Sequence, residues 1–324
     1  MWMHEHTGET AAHTFSLEPS GPFHLANQNR HFGGWPTLPR DQGAIVMAFP
    51  VEGSEQVAAV VIRQSADGLI SGEVHGCPKA LVDRARRQAL AAISLDIDGS
   101  GWAGVGARDQ VIGRLQARYR HLRPSLFHSP YEAAAAFVIG HRISIRQTRA
   151  LRARIAAEYG TAISIDGHRF PAFPAPGQLL AADPLPGINQ TKAERLRAIA
   201  RAAQEGWLER EPLRAMPEDA ALAKLQTLPG IGAFFSQGIL YRGAGMVDAL
   251  TDDEITRFAV TQAYGLDTPA NRQTPEQIAE AWRPYRMWAV VLLHVWVRSE
   301  RGLPPRSHAG RRRGLRPATP VAHA

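Results

Sequence analysis

Three short runs of apolar and β-branched residues lie near the start of the chain, at 43–51, 56–64 and 69–76, with Gly, Ser and Asp turns between them. That pattern predicts three antiparallel strands. From 78 to 93 the apolar positions recur at helical spacing, and residues 93–99 read as one more short strand. The first hundred or so residues therefore form a small α+β unit. Beyond Asp109 the chain changes character. Ala, Arg and Leu recur at helical spacing in 131–140, 145–160, 191–206, 218–228 and 275–300, with short Gly and Pro punctuation, and Pro284 falls where it would occupy the first turn of the last helix. The second unit is expected to be an all-helical bundle. From Arg301 onward Pro, Gly, Arg and His dominate and acids are absent, the composition of a disordered tail. The predicted organisation is a flexible N-terminus over 1–15, an α+β domain over 16–108, a helical domain over 109–300 and a basic tail over 301–324.

Composition narrows the class. With 324 residues, 44% of them hydrophobic and 21% charged, the chain can bury a sizeable core in roughly two domains. The longest apolar stretch, 287–297, is short of the ~18 residues of a membrane span and contains His294. The first ten residues lack a basic start followed by an apolar segment, so no signal peptide is read. A single cysteine, Cys77, excludes internal disulfides and any metal site built from four cysteines, and suits a reducing compartment. His4, His6 and His13 are too loosely spaced to form a metal site. The expectation is a cytoplasmic monomer without a membrane partner.

The motif that carries chemistry is LQTLPGIG, residues 225–232. Pro229 and Gly230 turn the chain tightly after one helix, and Gly232 lets the start of the next approach something closely. The amides of Gly230, Ile231 and Gly232 are candidate donors to a phosphate, favoured by the positive end of the helix dipole; an ordinary turn is the alternative. Leu-Pro-Gly-Ile also occurs at 185–188, 43 residues earlier, which reads as a duplicated helix pair or as two similar turns. Twenty-one residues beyond Gly232, Asp253 in the segment TDDEI stands at the start of a further helix, as a carboxylate near a bound backbone or as a helix cap. Arg142, Arg146 and Arg149 follow i, i+4, i+7 spacing, a helix face that tracks phosphates or meets solvent.

These segments, together with PYEAAAAFVIGHRIS, FPAPGQLLAADP, KAERLRAIARAA, LYRGAG and WRPYRMWAVVLLHVW, occur in the order and at nearly the spacing of the helix-hairpin-helix DNA glycosylases. Over about 124–297 the chain most resembles the 3-methyladenine DNA glycosylase II (AlkA-type) family. The resemblance implies base excision from double-stranded DNA containing damaged bases, with association to the nucleoid through that DNA. A damaged base is flipped out at a cost of a few kcal/mol, stacked on aromatic side chains, and its glycosidic bond hydrolysed. Asp253 matches the family's catalytic aspartate, with Asp252 the alternative. A fixed carboxylate favours the positively charged, oxocarbenium-like sugar of the transition state over the ground state.

Further roles follow from the same resemblance. Bifunctional members carry a Schiff-base lysine two residues after the hairpin's last glycine; here that position is Phe234, so the expected enzyme is monofunctional, with water as nucleophile. Phe234 and Trp296 match pocket aromatics, with Trp288 the alternative to Trp296. Gly238 stands where the family often has a tyrosine, which leaves a wider pocket or one that uses Tyr241. His141 and Arg142 occupy the positions that fill the gap left by the flipped base, and Arg146 is a phosphate candidate. No cofactor is required, although the backbone carbonyls of Gln226, Leu228 and Ile231 are candidate ligands for a monovalent cation. The substrate reading is alkylated purines such as 3-methyladenine and 7-methylguanine; deaminated or etheno bases, or a non-catalytic damaged-DNA-binding module, are the alternatives.

The charge balance is uneven. The chain has 37 Lys and Arg against 30 acids, a net +7, and residues 301–324 contribute six arginines and no acid. A nearly neutral body is expected to bind DNA through a local patch and backbone amides, with the tail as a salt-sensitive arm.

Overall fold

The computed structural model describes residues 12–32, 34–251, 253–271 and 273–302. The sheet expected near the start has five antiparallel strands: β1 (His13–Leu17), β2 (Thr37–Leu38), β3 (Asp41–Pro50), β4 (Val57–Gln64) and β5 (Ile70–His75), in the spatial order β1-β5-β4-β3-β2. Strand β1 begins inside the segment assigned to the flexible N-terminus; its alternating pattern pairs His13 to Leu17 with Val74 to Ile70. Helix α1 (Leu25–Phe32) follows it. The expected strand over 93–99 is absent. That stretch leaves helix α2 (Val82–Ala92) as turns, with Ser94 in the left-handed region at φ 56°.

The near-continuous apolar runs of β3 and β4 have a clear cause, since both faces of the sheet are covered. Ile45, Met47, Phe49, Val60 and Ile62 face α2, where they pack with Ala85, Ala89 and Ile93. Ala44, Val46, Ala59 and Val61 face the other way, onto Ile165 and Phe170. Those two residues belong to a hairpin, β6 (Ala162–Ile165) and β7 (His168–Pro171), so the second unit is not all helix. The hairpin interrupts the helical pattern with two short β-branched and aromatic runs around Asp166 and Gly167, which both have positive φ.

The helical unit comprises α3 (Trp102–Arg108), α4 (Gln110–Arg118), α5 (Pro130–Gly140), α6 (Ile145–Tyr159), α7 (Pro176–Ala181), α8 (Gln190–Gln204), α9 (Arg210–Ala215), α10 (Glu218–Gln226), α11 (Ala233–Gly238), α12 (Glu254–Tyr264), α13 (Gln273–Ala279) and α14 (Arg286–Trp296). Trp102 and Val105 of α3 pack in this core, although they precede residue 109. Helix α5 is buried on nearly every side. Its Glu132 is paired with His128 (3.1 Å) and Arg152 of α6 (2.7 Å), which hold the carboxyl below its ordinary value against the opposing effect of burial. The helical pattern over 275–300 is divided between two helices. Helix α13 ends at Ala279, a tight turn runs through Glu280–Trp282, and Pro284 precedes the N-cap Tyr285 instead of entering the first turn of α14.

Arg123 ties the two units together. Its guanidinium donates to the carbonyls of Ser20, Pro22, Ser94 and Ile97 and lies 5.2 Å from the Trp288 ring. Among the described residues no helix is long and apolar enough to cross a membrane. Cys77 is buried and free.

Candidate active site

Helix α10, the Pro-Gly turn and α11 form the hairpin read from the sequence. Leu228 and Ile231 are buried and anchor it to the core. Gly230 needs its glycine: φ is +83°, and a Cβ there would lie 2.5 Å from Arg195 Cδ. A Cβ on Gly232, the N-cap of α11, would meet nothing within 4 Å, so this side of the turn is open. The Gly230 and Gly232 amides have no acceptor among the described residues. The Ile231 amide differs from the expectation, because it donates to Leu228 O (3.0 Å) and closes the turn. The earlier Leu-Pro-Gly-Ile also places its glycine at positive φ (Gly187, +71°) ahead of a helix, so the two turns share this geometry.

A basic patch borders the hairpin. Arg195 packs against Gly230, and Lys192 donates to the carbonyls of Ile139 (2.7 Å) and His141 (2.9 Å) at the end of α5. Burial and the positive charges of Arg142, Lys192 and Arg195 lower the pKa of His141, whose ring meets Phe235 edge-on at 5.7 Å. Arg142 is not on the helix that carries Arg146 and Arg149. It lies in the turn before Ser144, the N-cap of α6, in the left-handed region at φ 63°. Arg146 is exposed, whereas Arg149 donates to Phe32 O (3.1 Å).

Phe234 is 59% exposed, an unusual position for a large apolar ring. It belongs to an aromatic cluster with Phe235 and Phe137, and Phe137 extends it to Phe127. Phe137 is the residue the sequence did not reveal. A Cβ on Gly238 would lie 2.2 Å from Phe137 Cζ, so the ring from α5 occupies the space a side chain at 238 would need. Tyr241 takes no part in this surface: it is buried, and its hydroxyl donates to Glu218.

Asp253 caps α12. Its Oδ1 accepts the Thr256 amide at 2.7 Å and lies 3.9 Å from His294 Nε2 on α14, while Oδ2 has no partner among the described residues. Asp248, in the loop before it, is paired with Arg286 (2.9 Å) and Arg283, which fixes that loop to the start of α14. Positive charge backs the carboxylate. Burial lowers the pKa of Arg298 while Asp253 pulls it up, and Arg242 lies close enough to His294 to disfavour its protonation. Arg242 stands eight residues, about 12 Å of helix, beyond Phe234, so the helix after the hairpin links the aromatic surface to the Asp253 region. His294 and Arg298 carried no sequence signal, since only packing brings them to Asp253. Asp252 lies outside the described residues.

Trp296 is 9% exposed, with the Arg301 guanidinium 5.4 Å from its ring. Two residues on a helix diverge by about 160°, so Trp296 leaves α14 on the side away from His294 and Asp253. Trp288 is core, against Trp102 and Tyr285. A cavity of about 260 Å³ at the junction of the two units is lined by Glu52, Glu55 and Glu209, carboxylates that repel a phosphate backbone.

The chain superimposes on a 3-methyladenine DNA-glycosylase from Archaeoglobus fulgidus with a TM-score of 0.71 and 20% identity, over 87% of this chain and 97% of that one. The chain has the fold of the helix-hairpin-helix DNA glycosylases. An 8-oxoguanine glycosylase/lyase from Clostridium acetobutylicum, in complex with double-stranded DNA containing cytosine opposite 8-oxoG, shares that glycosylase fold at a TM-score of 0.63 and 14% identity, over 86% and 92% of the two chains. MBOgg1 in complex with a low-affinity DNA ligand gives 0.68 and 14%, over 91% and 97%. No protein-family model matches the sequence, and no curated protein matches it.

Proposed function

We propose that the protein is a monofunctional DNA glycosylase that flips alkylated purines out of double-stranded DNA and hydrolyses their glycosidic bonds. The observation that carries this reading is Asp253: a carboxylate fixed at Oδ1 by an N-cap bond, with no partner for Oδ2 among the described residues, in a glycosylase fold. The Gly230 and Gly232 amides grip a phosphate, and Lys192, Arg195, Arg142 and Arg146 supply the surrounding positive charge. The exposed Phe234 ring stacks on the flipped base, a contact worth about 1–3 kcal/mol. As the C–N bond stretches, the sugar becomes positive and its attraction to Asp253 grows, while water adds to the anomeric carbon. Phe234 offers no amine for an imine, so strand cleavage does not follow. The same turn offers a monovalent cation the Leu228 carbonyl, which keeps a second lone pair after accepting the Ile231 amide, together with those of Gln226 and Ile231.

Incubation with methylated duplex DNA tests the proposal. The expected products are 3-methyladenine or 7-methylguanine and an unbroken abasic strand. Tight lesion binding without base release would favour a damaged-DNA-binding module, and release only of deaminated or etheno bases would change the substrate class.

A further inference from the structure

His294 lies behind the carboxylate, with only 12% of its side-chain surface exposed. Its Nε2 is hydrogen-bonded to Thr256 Oγ1 at 3.0 Å, and that hydroxyl is in turn hydrogen-bonded to Thr251 Oγ1 at 2.9 Å. Thr256 is fully buried, and its amide holds Asp253 Oδ1. One residue thus meets the carboxylate through its backbone and the imidazole through its side chain.

We propose that His294 is a positioning residue for the glycosylase reaction: through Thr256 it braces the Oδ1 edge of Asp253 from the protein interior and keeps Oδ2 directed at the sugar of the flipped nucleotide. The proposal rests on the reading of Asp253 as the catalytic carboxylate. The charged groups around the ring fit a neutral brace. Burial, with Arg298 on the turn after α14 and Arg242 on the helix after the hairpin, lowers the His294 pKa to about 4 against the opposing pull of Asp253. The ring is neutral at pH 7. A neutral ring fixes the carboxylate without cancelling the charge that the oxocarbenium-like sugar needs, whereas an imidazolium 3.9 Å away would be a counterion.

The experiment is single-turnover release of 7-methylguanine from a defined duplex at pH 7, beside equilibrium binding to the same duplex carrying a tetrahydrofuran abasic analogue. His294→Leu should slow release at least tenfold while binding stays within twofold. His294→Gln, which keeps a polar group in reach of Thr256, should recover most of that rate. Thr256→Val, which preserves shape, should slow release as His294→Leu does, and the double variant should be no slower than the slower single one, as expected of residues acting in series. Undiminished release by both His294→Leu and Thr256→Val, a glutamine variant as slow as the leucine one, or losses that add in the double variant would overturn the brace. If His294→Leu does not fold, the threonine variant decides alone. A wild-type protein that releases no base would overturn the glycosylase reading and this proposal with it; wild-type release beside unaffected variants overturns only the brace.

Discussion

Asp253 caps α12 and, on the proposed reading, supplies the catalytic carboxylate, two jobs that substitution can separate. Asparagine caps a helix as well as aspartate does, so Asp253→Asn should leave the thermal midpoint nearly unchanged while base release falls by about 10²–10³-fold, as for other preorganised electrostatic groups. Asp253→Ala should lose the cap as well, about 1 kcal/mol of stability in denaturant titrations. The cap was legible in TDDEI, because a carboxylate before a helical pattern is a local signal, whereas the catalytic role was implied only by the family resemblance. Phe137 was not legible. It lies about a hundred residues before Gly238, and only the packing of α5 against the helix after the hairpin joins them. The contact predicts that Gly238→Ala destabilises the protein by about 1–3 kcal/mol through overpacking, and that Phe137→Ala removes most of that penalty in a double-mutant cycle.

At the scale of elements, the turn between α5 and α6 joins backbone strain to a candidate DNA contact. Arg142 holds a left-handed conformation that costs an L-residue about 1–2 kcal/mol and costs glycine little. Arg142→Gly should therefore raise stability by about 1 kcal/mol while weakening lesion binding and reducing its salt slope, read by thermal melts and by titration at several salt concentrations. The sequence placed Arg142 on a helix because its spacing to Arg146 and Arg149 is helical; the serine cap that starts α6 two residues later leaves Arg142 outside it. Pro284, read as lying in the first turn of the last helix, instead stands just before its cap, Tyr285. The β6-β7 hairpin escaped notice because its eight strand residues are too few to displace the helical periodicity on either side.

For the molecule as a whole, acid and salt should act on different parts. His294 is neutral when folded down to about pH 4, whereas an unfolded histidine takes up a proton near 6.5. The unfolded state thus binds more protons between those values, and stability should fall as pH drops from about 6.5 to 4. Denaturant midpoints across that range check it, and His294→Gln should flatten the decline. Salt bears on the tail. Six of the seven net positive charges lie in residues 301–324, of which 303–324 fall outside the described residues. Deleting 303–324 should weaken nonspecific DNA affinity and flatten its salt dependence while leaving base release at low salt intact.

The β6-β7 hairpin also limits how the chain can be divided. The helical half lends a cover to the other half, so a fragment ending before residue 100 would show water the strip formed by Ala44, Val46, Ala59 and Val61. Such a fragment should aggregate, and a transplanted helical half would carry Ile165 and Phe170 with nothing to sit on. Anyone building chimaeras from this protein should move the sheet and the hairpin together, whatever the order of domains along the chain suggests.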